Sequence, residues 1–111
     1  MKKLFTNYNF EFNKNEIRLL TTVCKQTLKQ TENDNRFFSE AKAFNSILNK
    51  LSSGESTIKL TKDERTRLLH QLKNNADYLN KKLNKSWFLQ KWFYKSLYIQ
   101  YEDLLENHFK D

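Results

Sequence analysis

The sequence predicts a mainly α-helical single domain over residues 1–111, a bundle of about four helices with two short candidate strands that could pair as a minimal ribbon. An α+β arrangement is the alternative. Three observations carry this. The chain has no proline and one glycine, Gly54, so it lacks the turn residues that sandwiches and barrels need. Helix-start signals stand at Asn13–Glu16 and Thr61–Glu64, each a capping pair three residues apart. Apolar residues then recur at three- and four-residue spacing through four long stretches. One hydrophobic core fits this length and two independent cores do not. A composition 38% hydrophobic and 14% aromatic argues against disorder, because large aromatics offset the entropy of ordering the chain.

In order, residues 8–12 (YNFEF) alternate aromatic and polar, the pattern of a short strand. Asn13 then caps a helix over 14–30, with Ile17, Leu20, Val23, Cys24 and Leu28 on one side. Cys24 lies within that stripe, so it reads as a small core residue and not as a nucleophile. Residues 30–35 (QTENDN) are turn-prone. The second helix, 36–51, places Phe37, Ala41, Phe44, Ile47, Leu48 and Leu51 on one face and leaves Phe38 off it. SSGES (52–56) is a connection, and TIKL (57–60) a second strand. Thr61 and Glu64 form the strongest local signal, a capping box opening a helix over 62–83 with Leu68, Leu69, Leu72, Ala76, Leu79 and Leu83 on its stripe. The apolar spacing gains a residue around 84–86, so a bend or break belongs there, with Ser86 as a fresh cap.

The last helix, 86–109, contains both tryptophans and has two apolar faces. The broad face carries Trp87, Phe93, Tyr94, Leu97, Tyr98, Tyr101, Leu104, Leu105 and Phe109, wide enough to wall a core. The narrow face carries Phe88, Trp92 and Ile99, with Lys91 and Lys95 beside them and Asp103 and Glu106 further along. A helix with apolar groups on both sides has side chains left over after one layer is packed. An internal echo also runs at an offset of 48: Phe10 to Glu16 and then Leu20 match Ile58 to Glu64 and then Leu68. It fits either two duplicated strand–cap–helix units whose strands pair, or a common local solution used twice.

Net charge is +7, unevenly spread. Residues 61–101 carry nine Lys/Arg against three Asp/Glu, whereas 102–111 carry one against four. The basic stretch could face an anion. One cysteine rules out an internal disulfide and is compatible with a reducing compartment. MKKLF resembles the start of a signal sequence, but no apolar segment follows it. No apolar run approaches the ~20 residues of a membrane span. The expected location is cytoplasmic.

Catalysis wants acids, bases or nucleophiles converging in a cleft. Here Glu16, Asp63 and Glu64 belong to helix starts, and Asp77, Glu102, Asp103 and Glu106 to polar faces. His70 and His108 have no second ligand at metal spacing, and one glycine cannot make a phosphate loop. The expectation is a non-enzymatic protein with no cofactor and no metal. In composition the chain resembles the small Lys/Asn-rich helical proteins of phages and mobile elements of low-GC bacteria. That resemblance covers no defined motif, and it implies a protein that binds and modulates or inhibits a host or defence factor.

The first functional expectation is therefore a protein-binding module acting through Phe88, Trp92 and Ile99 with Lys91 and Lys95. The alternative is nucleic-acid binding through Arg65, Arg67, Lys73, Lys81, Lys82 and Lys85, with interleaved aromatics as stacking surfaces. A structural homodimer is the second alternative. Ordinary core packing of the Phe88/Trp92/Ile99 patch by the N-terminal segment is the competing structural reading.

Overall fold

A computed structural model describes residues 8–85 and 88–110, without the side chains of Phe88 and Leu89. The elements are β1 (Tyr8–Phe10), α1 (Lys14–Thr31), a 3-10 turn (Asn35–Phe37), α2 (Phe38–Leu51), β2 (Ile58–Leu60), α3 (Lys62–Lys85) and α4 (Phe88–His108). The fold is mainly helical with a minimal two-stranded ribbon. The chain divides into two compact units between Leu68 and Leu69, inside α3.

In the first unit, β1 and β2 pair antiparallel, with Tyr8 opposite Leu60, Asn9 opposite Lys59 and Phe10 opposite Ile58. The alternation puts Phe10, Ile58 and Leu60 inside and Asn9 and Lys59 outside. A two-stranded ribbon is marginal alone; here α2 packs on β2. The first strand is shorter than the YNFEF pattern suggests. Asn13 accepts a hydrogen bond from the Glu16 N–H at 2.8 Å, and Glu16 accepts one from the Asn13 N–H at 2.9 Å. The predicted capping box thus turns the chain into α1 soon after Phe10. Phe12 still stacks on Phe10, rings 5.0 Å apart. In the 48-residue echo, the equivalent residues Phe10 and Ile58 are direct cross-strand partners.

Helix α1 packs on α2. Its buried stripe holds the expected Leu20, Val23 and Cys24, together with Leu19, Thr27 and Thr31. The two threonines can join an apolar stripe because each hydroxyl donates to the carbonyl one turn back, to Val23 and Thr27 respectively, both at 2.9 Å. Burial pushes the Cys24 thiol up to about 12. Cys24 is therefore expected to resist iodoacetamide at pH 8 in the folded protein and to alkylate readily in denaturant, as mass spectrometry would read. Fast labelling of the native chain would contradict this burial.

Asn33 takes a left-handed conformation, φ 67°, which asparagine tolerates better than most residues. The Asp34 carboxylate then accepts from the Arg36 N–H at 3.0 Å. That local cap winds a 3-10 turn first, so α2 starts at Phe38 and not at 36. The offset corrects one core assignment: Phe37 lies in the turn and is exposed. Phe44, Ile47 and Leu51 are buried as their spacing predicts, with Ala43 beside them. Gly54 has φ 81° in the 52–56 connection.

The second unit comprises the rest of α3 and α4. Leu72, Ala76 and Leu79 are buried on α3, and Tyr101, Leu104 and Phe109 at the C-terminal side of the unit. Asn75 donates to the Tyr101 hydroxyl at 3.2 Å, tying the two helices together. The predicted bend falls partly on Ser86 and Trp87, which lie outside the described residues, and so does the core assignment of Trp87. Tyr94 and Tyr98, expected in the core, are only partly buried. Phe93, also expected there, is 63% exposed. It sits about 80° around the helix from Tyr101, at the edge of the stripe where burial ends. No described helix is long and apolar enough to cross a membrane.

Candidate partner interface

The solvent side of α4 follows from helix arithmetic. Trp92 precedes Tyr101 by nine residues, about 180° around the helix. Ile99 follows Trp92 by two turns, roughly 10 Å along the axis and within about 20° of the same line. Because Tyr101 is buried, that line faces outward. Trp92 is 79% exposed and Ile99 47%, and Lys91 and Lys95 are exposed beside them. Phe93, about 100° around the helix from Trp92, is exposed at the border between this line and the buried stripe. The side chain of Phe88 lies outside the described residues.

The basic residues of the nucleic-acid alternative separate into two sets. Arg67, in the first unit, bonds the Asp63 carboxylate at 2.9 Å and also pairs with Glu40. Arg65 places its guanidinium 5.0 Å from the centre of the Tyr8 ring. Both arginines therefore have structural work. Lys73, Lys81, Lys82 and Lys85 belong to the second unit and are exposed. The last three border an open groove of about 370 Å³, completed by Tyr78, Gln90 and Tyr94. Sequence reasoning missed Tyr78 and Gln90 and assigned Tyr94 to the core. Tyr78 stands one turn before Lys82, which was the available signal; Gln90 and Tyr94 come from the next helix and gave none.

The most elaborate polar cluster surrounds Glu64, which is 6% exposed. Its carboxylate accepts from the Thr61 N–H at 2.9 Å, from Lys50 Nζ at 2.6 Å and from the Ser46 hydroxyl. Thr61 completes the predicted box by accepting from the Glu64 N–H at 3.1 Å. Burial alone would raise the Glu64 carboxyl. The bonds from Lys50, Ser46 and the Thr61 backbone, with the Lys50 charge, outweigh it and hold the group below the usual carboxylate range. A carboxylate with every oxygen engaged is a structural anchor and a poor general base.

His70 is exposed and His108 partly buried. Among the described residues no three His, Cys, Asp or Glu side chains converge on a point where a metal could sit. The fold and site thus define a small helical protein with a two-stranded ribbon, an outward aromatic–basic helix face and a basic groove. No protein family model, curated protein or solved structure matches the chain.

Proposed function

We propose that this chain is a small non-enzymatic binding module that engages a protein partner through the outward face of α4, and that it modulates or inhibits a host or defence protein by occupying that partner's surface. The single observation that carries the reading is Trp92, 79% exposed on the side of α4 opposite Tyr101. Tryptophan is among the residues most often found at the energetic centre of protein interfaces, and exposing one to water forfeits the burial of a large apolar surface. Ile99 extends the apolar area along the same line, while Lys91 and Lys95 would select a partner with carboxylates at the rim of its pocket.

The test is capture from a bacterial lysate by the tagged chain, with and without nuclease, washed at low and at high salt, beside the Trp92→Ala variant. A discrete protein that survives nuclease and high salt and is lost with Trp92→Ala, while the variant melts like the parent, is the expected result. An interaction centred on tryptophan loses about 2 kcal/mol or more on such truncation, some thirty-fold in Kd. A protein captured equally by the variant would remove the face from consideration.

A further inference from the structure

An open groove lies on the other side of α4. Gln90 and Tyr94 are one turn apart, and both point about 160–200° away from the Trp92 line. Across from them, Tyr78, Lys81, Lys82 and Lys85 occupy two turns of α3, and together the six residues line the groove of about 370 Å³. Lys81 and Lys85 are spaced by four residues, about 6 Å along the axis. Lys82 holds its ammonium 5.5 Å from the centre of the Tyr78 ring, and Tyr78 is 58% exposed. Lys81, Lys82 and Lys85 bring three positive charges to the groove within five residues, which favours an anion there.

From this arrangement we infer that the groove binds single-stranded nucleic acid, its lysines following the phosphates and Tyr78 and Tyr94 receiving bases. The rings decide the class of ligand. Lysines by themselves would take any polyanion, but a tyrosine on each wall offers stacking surfaces that suit unpaired bases and gain nothing from inorganic phosphate or a sulfated polymer. In a duplex the bases are already stacked and have no free faces. Gln90 supplies an amide that can both donate to and accept from a base edge. The site is independent of the Trp92 face, so either could exist without the other.

The test is fluorescence anisotropy of a labelled oligothymidylate of about 12 nucleotides, titrated with the full chain between about 50 and 200 mM salt. The matched duplex and heparin serve as competitors. Tighter binding of the single strand than of the duplex is expected. Tyr78→Ala and Tyr94→Leu, which leave the net charge unchanged, should each weaken it by about tenfold. The leucine keeps an apolar group at the partly buried position, and circular dichroism would verify that both variants fold. The double substitution Lys81→Gln/Lys85→Gln should reduce the salt slope by about 1.4. Absence of binding, or binding that heparin displaces as readily from both tyrosine variants as from the parent, would overturn the proposal and leave an unspecialised basic surface.

Discussion

Glu64→Ala is expected to destabilise the protein by about 2–3 kcal/mol at pH 7. The substitution removes the acceptor shared by Lys50, Ser46 and the Thr61 N–H. The start of α3 loses half of its capping box, and α2 and α3 keep only the Arg67–Glu40 pair among their described side-chain ion pairs. The cost stays below that of a fully buried ion pair because the Lys50 side chain is 35% exposed and can turn to water. Glu64→Gln keeps an acceptor but removes the charge, so it should fall between the parent and alanine. The pH dependence has a definite sign. A carboxyl whose folded pKa is lowered contributes stability above its unfolded value, about 4.3. That contribution is lost as pH falls through the lower folded pKa. Urea titrations from pH 7 to pH 3 should therefore show the parent losing, on acidification below about pH 4, an increment of stability that Glu64→Gln never had. Parallel pH profiles for the two proteins would show that Glu64 does not carry this role.

Phe44→Ala is expected to cost more, about 3–5 kcal/mol, because a fully buried ring leaves a cavity that α1 and α2 can only partly fill. Phe44 has no exposed surface, whereas Phe38, six residues earlier on the same helix, is 69% exposed. Phe38→Ala should stay within about 0.5 kcal/mol of the parent. The pair makes a controlled comparison, with the same residue type, the same helix and opposite burial. Denaturant unfolding at constant m-value reads both, and a similar cost for the two would mean that α2 does not present the face described.

Much of the architecture was legible because it is local. Both capping boxes form between residues three apart, and the four apolar stripes need only helical periodicity to be seen. The strands were legible as alternation, and their pairing follows once both lie beside capped helix starts. Edges were harder. Phe37 was placed in the core because a regular helix from 36 would bury it; Asp34 capping Arg36 winds a tighter turn, and the ring swings out. Phe93 fails in the same way, since a stripe drawn around a helix has no sharp border and packing alone sets where it ends.

The candidate surfaces divide along the same line. Trp92 and Ile99 could be found by counting around α4, because opposition to Tyr101 is a property of one helix. The groove could not, because Gln90 and Tyr94 meet Lys81, Lys82 and Lys85 only when two helices come together. Nor could the Ser46 and Lys50 bonds to Glu64, which span 18 and 14 residues. By itself the sequence determined where the capped helices begin, which faces are apolar, and that α4 carries apolar groups on two sides, leaving open whether Trp92 would be covered. Tertiary structure alone decided which cations reach distant carboxylates or rings and which line an open groove. Short-range hydrogen bonds and periodicity are written in neighbouring residues, while the pairing of distant side chains depends on how the elements pack.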